Sequence, residues 1–224
     1  MSDARDPRAM ALATLVHELR QPLFVVKATA QLGRGAGPDD ARFAQILEQV
    51  GHIEALLQHY GDAVVERGPL QRCALHPLIR QVAGELEPRL VAAGVRLDLS
   101  LAGGDGGVAM RPLAARQLLH NLLLNAVDAV EGLHDPRVEV RTEALEGALL
   151  LSVRDSGPGL GGLSEAELFA PFATSKSTGT GLGLHIAHQL VSDAGGSVSL
   201  SSEEHGGALA EVRLPLADAP DQKR

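Results

Sequence analysis

The sequence predicts an α+β protein with two parts. The first is an N-terminal helical hairpin that pairs with a second copy into a four-helix bundle, and the second is a sandwich of one β-sheet with helices on one face. Apolar residues repeat in heptads through the first 64 residues, whereas helical and alternating patterns mix after residue 69. Hydrophobic residues make up 45% and charged residues 21%, which suits a chain that buries a core. The length of 224 residues fits one large domain or two small ones, at roughly 100–200 residues per domain.

The composition argues against several classes of protein. The formal net charge is −8 and the aromatic residues are four Phe and one Tyr, so the basic surface and stacking aromatics of a nucleic-acid binder are missing. Cys73 is the only cysteine, which excludes an intramolecular disulfide and a cysteine-based zinc site. The start is polar, and no apolar run approaches the ~20 residues of a membrane helix. We therefore expect a cytoplasmic protein with no membrane segment in this chain.

Two apolar seams predict the helical hairpin. Their residues step by three and four positions, which is the a/d spacing of a coiled coil or four-helix bundle. The first seam is Leu12, Val16, Leu19, Leu23, Val26 and Ala30, and the second is Phe43, Ile46, Val50, Ile53, Leu57, Tyr60 and Val64. The glycines of 33–37 end the first helix, and Pro38 suits the first position of the second. Two narrow apolar seams are buried best against the two seams of a second hairpin, which predicts a homodimer. The alternative is that the hairpin packs against the rest of its own chain.

The pattern changes after Arg67-Gly68-Pro69, which predicts a domain over 1–68, a second over 69–216 and a loose tail over 217–224. Helices are predicted at 77–93, 112–130 and 181–194. Strands are predicted at 95–101, 138–142, 149–153, 197–201 and 208–214, of which the last two form a hairpin. A segment between 160 and 179 is rich in Gly, Ser and Thr and contains Phe169 and Phe172, which is typical of a mobile lid with an apolar anchor.

His17 is the first candidate for chemistry. It follows the seam residue Val16, and the adjacent Glu18 can accept the Nδ1 proton and leave Nε2 as a nucleophile. Pro22 interrupts the helix at a cost of about 3 kcal/mol, which indicates that the bend it produces beside His17 has a functional role. Gln21 stands where a zinc-protease helix needs a second histidine, so that class is excluded. A histidine taken alone on a helix is ordinarily a solvated side chain.

Two further motifs combine polar side chains with glycines. Asn121 and Asn125 lie one helical turn apart, and paired amides can hold a hard cation through oxygen. Asp155 follows an apolar strand and precedes Gly157 and Gly159, which permit a sharp turn close to a ligand, where the carboxylate can accept from an exocyclic amine of a base. Each motif also occurs by chance, as surface amides or an ordinary turn.

A glycine-rich turn opens the last predicted helix. Its residues are Gly179, Thr180, Gly181, Leu182 and Gly183. Backbone amides at a helix N-terminus with glycine neighbours form a phosphate cradle. The turn lacks the third glycine of the dinucleotide fingerprint, and Ser175-Lys176-Ser177 lacks the glycines of a P-loop.

The order and spacing of these motifs are more specific than any one of them. HELRQPL, NLLLNAVDA, DSGPGL, FAPFATSK and GTGLGL resemble the H, N, G1, F and G2 boxes of a sensor histidine kinase, over residues 10–215. The second domain resembles the GHKL ATPase superfamily, which includes gyrase, heat-shock chaperones of the ninety-kilodalton class and MutL. The sequence around His17 and the lid is similar to the subfamily of oxygen-sensing and dicarboxylate-sensing kinases.

The resemblance implies a role for each matching residue. His17 would accept the γ-phosphoryl group of ATP, with Glu18 as its proton partner and Gln21 in the same catalytic motif. Asn125 would hold Mg²⁺ and Asn121 would support the metal and the phosphates. The phosphoryl group would then pass to an aspartate of a response regulator receiver domain.

The remaining implied roles concern the nucleotide. Asp155 would bind the adenine amino group, backed by Gly157 and Gly159. A lid lysine and the glycine-rich turn would contact the phosphates, and these residues are Lys176, Gly179, Thr180, Gly181, Leu182 and Gly183. Such groups supply the positioning and charge neutralisation that phosphoryl transfer needs.

Departures from the family pattern define the alternatives. Asn121 stands where water-splitting relatives carry a glutamate, which favours transfer to His17 over free hydrolysis. Gln21 replaces the Thr or Asn that many of these kinases use for phosphatase activity. Only 16 residues precede His17, which is too few for a sensor domain. Either the chain is part of a longer protein, or a separate sensor protein signals in trans. The N-terminal sequence MSDARDPRAM resembles a natural start and favours a separate sensor. A non-catalytic phosphotransfer or scaffold protein and a GHKL serine kinase of the anti-sigma type are the alternative functions.

Overall fold

The computed structural model describes Val26, Ile46, Ile53 and residues 69–104, 106–171, 173, 181–203 and 206–217. The chain divides into two compact units, and the larger one comprises residues 68–173 and 181–224. In the smaller unit the three described residues, Val26, Ile46 and Ile53, are helical and half-buried, and all three belong to the predicted seams. The rest of the predicted hairpin lies outside the described residues, so the hairpin and its dimer stay predictions.

The larger unit is built on a mixed five-stranded sheet in the order β2-β4-β5-β7-β6. Its strands are β2 (Arg96–Leu101), β4 (Arg137–Leu145), β5 (Ala148–Asp155), β6 (Ser197–Ser202) and β7 (Ala208–Pro215). Strand β2 runs parallel to β4, and the other pairs are antiparallel. A separate antiparallel pair joins β1 (Arg72–Ala74) to β3 (Gly107–Ala109). The predicted α+β sandwich is therefore confirmed for this unit.

Three helices pack on the sheet or along its edge, and a fourth is one turn long. Helix α1 spans Leu75–Ala93 and ends at Gly94, whose φ of +65° suits glycine. Helix α2 spans Pro112–Val130, with proline in its first turn, and these are the bounds that the sequence predicts. Helix α3 (Glu165–Leu168) is closed by a capping box between Ser164 and Glu167, and α4 spans Gly183–Asp193.

One face of the sheet and the facing sides of the helices form the hydrophobic core. The alternation of buried and exposed residues along β4 and β5 directs Val138, Val140, Leu149 and Leu151 into this core. The helical side chains that meet them include Ile79, Val82, Leu118, Leu119, Leu122 and Leu123. Truncation of any of these fully buried leucines to alanine is expected to cost about 2–5 kcal/mol.

One polar network lies inside the core. The Thr142 hydroxyl donates to the Ala102 carbonyl at 2.8 Å and accepts the Ala102 N–H at 2.9 Å. Because that hydroxyl has one hydrogen, the His76 Nε2 that lies 2.9 Å away donates to it. The network joins the start of α1 to the end of β2, so the buried imidazole is hydrogen-bonded.

The structure adds elements that the sequence does not predict. Strands β1 and β3 have three residues each, and α3 has four, within the segment expected to be a loop. Segments this short show neither helical nor strand periodicity. Within the described residues, no helix combines the length and apolarity needed to cross a membrane.

Candidate active site

The carboxylate of Asp155 stands at the end of the apolar strand β5, and main-chain groups fix its orientation. Its Oδ1 accepts the N–H of Gly157 at 2.8 Å and the N–H of Ala208 at 3.2 Å. Gly157 belongs to the turn that follows β5, whereas Ala208 opens β7, the neighbouring strand. The carboxylate is therefore held by two backbone donors before any ligand is bound.

Close packing around this carboxylate explains the glycines of the motif. A Cβ on Gly157 would lie 2.7 Å from Asp155 Oδ1 and 2.9 Å from the carbonyl oxygen of Ala129 on α2. Gly159 packs against Ser202, whose Oγ would be 3.1 Å from its Cβ. Only glycine allows the turn to approach α2 and β6 this closely.

The turn between β6 and β7 completes this region; the sequence predicts the hairpin but not that its turn lies beside Asp155. Gly207 has a φ of +104°, and a Cβ there would collide with the Asp155 carbonyl oxygen. The Ser202 hydroxyl accepts the N–H of Leu160 at 3.1 Å. The adjacent Gly206 and Gly207 indicate a turn in the sequence. That this turn lies close to Asp155 follows only from the pairing of β5 with β7. We call Asp155, Gly157, Gly159, Ser202 and Gly207 the β5 end of the site.

The two asparagines lie on the side of α2 that faces α4. Both are half-buried, and a Cβ on Gly183 would lie 3.4 Å from Asn125 Nδ2 and 3.5 Å from its Oδ1. Gly183 is the first residue of α4, so the N-terminal turn of this helix faces the Asn125 amide. We call Asn121, Asn125 and Gly183 the α2–α4 face of the site.

The N-terminus of α4 has the properties of an anion site. Within the part of the chain that the structure describes, no side chain caps this terminus and its first turn contains no acidic residue. The first N–H groups of a helix lack intrahelical partners, and the helix dipole places partial positive charge there. Gly181, with a φ of +66°, and the buried Leu182 lead into this turn. Residues 181–183 therefore have the backbone geometry that the predicted phosphate cradle needs, and the cradle itself stays a prediction.

Asn121 supplies an independent sign of a ligand. Its Nδ2 is buried and, among the described residues, makes no hydrogen bond. A buried donor without an acceptor costs about 1–3 kcal/mol, so native proteins rarely retain one without a reason. The donor lies one turn from Asn125 on the same side of α2.

These groups fit a polyphosphate and a magnesium ion. The orphan N–H of Asn121 and the N-terminus of α4 suit phosphate oxygens. The amide oxygen of Asn125 suits Mg²⁺, which prefers oxygen ligands and takes most of them from water and phosphates. Ala129, which contacts the Gly157 turn, is one turn beyond Asn125, so one side of α2 connects both ends of the site over about 12 Å.

Charged residues on the outer side of α1 and α2 stabilise their pairing. Arg89 contacts Asp128 at 2.5 Å, and Arg116 contacts Glu85 at 2.8 Å. Hydrogen bonds from Gln81 and Arg116 lower the pKa of Glu85. Burial, followed by the positive charge of Arg116, lowers the pKa of His120. These ion pairs are exposed to solvent, so each contributes little to stability.

Several predicted site residues cannot be located. His17, Glu18 and Gln21 lie outside the described residues, as do Lys176, Gly179 and Thr180. The structure places Asn125 beside Gly183, places Asn121 one turn away, and joins Asp155 to the glycine turn that contacts the same helix. Together these groups form the candidate site of the larger unit.

Comparison with known proteins identifies the family. Residues 110–218 match the family described as histidine kinase-, DNA gyrase B-, and HSP90-like ATPase. This match covers just under half of the chain, and it shows that this part of the chain is similar to the ATPase domains of that family. The resemblance inferred from the five motifs is thereby confirmed.

Curated relatives and solved structures agree with this assignment. The C4-dicarboxylate transport sensor protein DctB of Rhizobium meliloti (strain 1021) is 33% identical over 214 residues, which cover 88% of this chain and 33% of that protein. The catalytic domain of histidine kinase ThkA is 27% identical with a TM-score of 0.60, covering 66% of this chain and 96% of that one. Full-length ShkA in complex with AMPPNP is 27% identical with a TM-score of 0.61, covering 93% of this chain and 46% of that one. The chain spans about a third of the length of the first two curated relatives it matches.

Proposed function

We propose that this chain is an ATP-dependent protein-histidine kinase that phosphorylates its own His17 and passes the phosphoryl group to an aspartate of a response regulator. The observation that supports this best is the α2–α4 face. There the buried Asn121 donor, which has no partner among the described residues, the Asn125 amide and the N-terminus of α4 all suit a bound triphosphate. The relationship to sensor histidine kinases then points to histidine as the acceptor.

Each end of the site has a separate task in this proposal. At the β5 end, the oriented Asp155 carboxylate accepts a hydrogen bond from the adenine amino group. At the α2–α4 face, Asn121 and the first amides of α4 bind phosphate oxygens, and Asn125 holds the metal. Mg²⁺, when bound, neutralises charge on the phosphates. ShkA, which shares this fold, was solved with the ATP analogue AMPPNP.

The transfer step itself uses the N-terminal hairpin. Nε2 of His17 attacks the γ-phosphorus, the bond to the bridging oxygen breaks, and ADP leaves with the bonding electrons. Glu18 accepts the hydrogen bond of Nδ1–H and stabilises the positive charge that develops on the ring. Lys176, Gly179 and Thr180 would complete the contacts to the phosphates. Positioning and charge neutralisation provide most of the catalysis in such a transfer.

The same proposal includes a dimeric, cytoplasmic protein. The two seams of the hairpin have an a/d spacing that pairs best with a second copy, and the receiver domain of the regulator would dock on the paired helices. A sensor protein acting in trans would supply the signal. Light scattering of the intact chain should give twice the monomer mass of 23.4 kDa, whereas a monomer would refute the bundle.

The deciding experiment uses ATP labelled with radioactive phosphorus at the γ position, together with Mg²⁺. We expect the intact chain to incorporate label that is lost in acid and kept in alkali, as a phosphohistidine is. His17→Ala should abolish labelling while the affinity for ATP changes by less than about threefold, because His17 belongs to the hairpin.

Other outcomes would identify the alternatives. Acid-stable label would indicate a serine kinase, and label retained in His17→Ala would exclude His17 as the acceptor. ATP binding without any labelling would favour the scaffold protein.

A further inference from the structure

Two histidines on α4 contact the same residue, Phe169, at the end of α3. Nδ1 of His185 lies 2.9 Å from the carbonyl oxygen of Phe169. A carbonyl oxygen can only accept, so Nδ1 carries the hydrogen in this bond. The ring of His188, one turn further along α4, lies 4.8 Å from the Phe169 ring, with 35° between their planes. Both contacts join the first half of α4 to Phe169.

Phe169 is itself firmly placed. Its N–H donates to the Glu165 carbonyl at 2.9 Å, and the capping box of Ser164 and Glu167 closes the single turn of α3. The side chain of Glu165 accepts the N–H of Leu200 on the edge strand β6 at 2.9 Å. The turn that presents Phe169 is therefore also attached to strand β6 of the sheet.

Among the described residues, the boundary between α3 and α4 contains an open groove. A groove of about 640 Å³ runs between Ala166, Ala170 and Pro171 on one wall and Gln189 and Ser192 on the other. The hydrogen bond and the ring contact at Phe169 therefore join the first turns of α4 to α3 beside this groove, in addition to the core packing of α4.

His185 is also close to the α2–α4 face. It is the third residue of α4, two positions after Gly183, the residue that faces the Asn125 amide. A shift of the first turn of α4 would therefore move the phosphate-binding amides relative to Asn125. Misplacement of reacting groups by about 1 Å can cost 100-fold in rate.

We propose that His185 is a positioning residue for phosphoryl transfer, which holds the N-terminal turn of α4 in register with Asn125 through its hydrogen bond to the Phe169 carbonyl. The proposal rests on the function proposed above and adds a residue that the five motifs do not contain. His188 supports the same placement through its ring contact. Neither histidine contacts the nucleotide in this scheme, so their effect is indirect.

The test compares three variants of the intact chain. His185→Ala removes the donor, His185→Asn places an amide N–H near the position of Nδ1, and Gln189→Ala is the matched control on the same helix and groove. Each is measured for autophosphorylation rate, for affinity towards adenosine and AMPPNP, and for melting temperature.

We expect His185→Ala to lower the autophosphorylation rate about tenfold and to weaken AMPPNP binding while adenosine affinity stays within about twofold. A tenfold loss corresponds to about 1.4 kcal/mol, the scale of one hydrogen bond. His185→Asn should recover most of the loss, and Gln189→Ala should match the wild type. A merely structural role would lower adenosine and AMPPNP affinity together and would not be rescued by Asn.

Two results would overturn the inference. One is a wild-type rate and AMPPNP affinity in His185→Ala, and the other is equal impairment of His185→Ala and His185→Asn at unchanged melting temperature. Failure of the underlying function has a different signature, since the wild-type chain would then incorporate no acid-labile label. Whether or not the wild-type chain labels itself, the change in AMPPNP affinity relative to adenosine affinity in His185→Ala still tests the role of His185.

Discussion

The two ends of the site differ in how completely the fold satisfies their polar groups. At the β5 end, Asp155 already accepts two backbone hydrogen bonds, and a Cβ at Gly157 or Gly207 would collide with its neighbours. At the α2–α4 face, no partner of the buried Asn121 donor and no side-chain cap of α4 are found among the described residues. The first region is preformed, whereas under the proposed function the second would be completed by its ligand.

The difference follows from the chemistry of the two parts of a nucleotide. A base is flat and neutral, so a rigid carboxylate in a tight turn can select it by shape and by one hydrogen bond. A triphosphate is highly charged and must leave as the diphosphate, so its site needs donors that pair strongly only when the phosphates are present. Such unpaired donors lower the stability of the empty protein.

The largest effect is expected at the α2–α4 face. Asn125→Ala removes the proposed metal ligand and should lower autophosphorylation by about 100-fold or more, because a preorganised group for charge stabilisation is lost. Nucleotide binding should also lose its dependence on Mg²⁺, which calorimetry with and without the metal would measure.

Asn125→Asp provides the control for this prediction. It retains an oxygen ligand and should keep the Mg²⁺ dependence. A near wild-type autophosphorylation rate in Asn125→Ala would mean that the metal is held elsewhere. The proposed difference between the preformed β5 end and a ligand-completed α2–α4 face would then be wrong.

A smaller effect, on selectivity, is expected at the β5 end. In Asp155→Asn the remaining oxygen can still accept the N–H groups of Gly157 and Ala208, but the new amide presents a donor to the adenine amine. One lost charge-assisted hydrogen bond of about 1.5–3 kcal/mol should weaken ATP binding roughly 10- to 150-fold. The preference for ATP over GTP should fall with it, because guanine offers a carbonyl where adenine offers the amine.

Titration with both nucleotides checks this prediction. Asp98→Asn, on the exposed edge strand β2, removes the same charge away from the site and should leave both affinities unchanged. Unchanged ATP affinity and selectivity in Asp155→Asn would exclude Asp155 as the residue that binds the base.

The smallest expected effect concerns stability and has the opposite sign. Asn121→Leu replaces the orphan donor by an apolar side chain and should raise the free energy of unfolding of the nucleotide-free protein by about 1 kcal/mol. The same change should reduce the extra stability that saturating AMPPNP gives, because that gain reports differential binding to the folded state. Urea unfolding with and without AMPPNP measures both quantities.

A destabilised Asn121→Leu protein would contradict the prediction. It would show that Asn121 is satisfied in solution, and that the α2–α4 face is as preformed as the β5 end.

Much of the fold could be predicted because it depends on local periodicity. Helix α2 has its predicted bounds, and the β4–β5 and β6–β7 hairpins lie where alternating patterns are flanked by turn residues. The one-turn helix α3 was missed because a single turn is too short to show a period, although Ser164 and Glu167 have the spacing of a capping box. The three-residue strands β1 and β3 were missed because such strands depend on distant partners. Strand β3, for example, is formed by pairing with β1, more than 30 residues earlier in the chain.

The candidate site likewise combines features that depend on neighbouring residues with features that depend on distant ones. The sequence by itself determined that Asn121 and Asn125 share one side of a helix, that Asp155 ends a buried strand and that glycines open α4, because each statement depends on residues within a few positions of one another. Only the tertiary structure decided that Ala208 donates to Asp155 from 53 residues away, that Asn121 Nδ2 is buried without an acceptor, and that His185 bonds to Phe169. Strand order and helix packing bring these groups together, and both result from burying the whole core at once rather than from any local pattern.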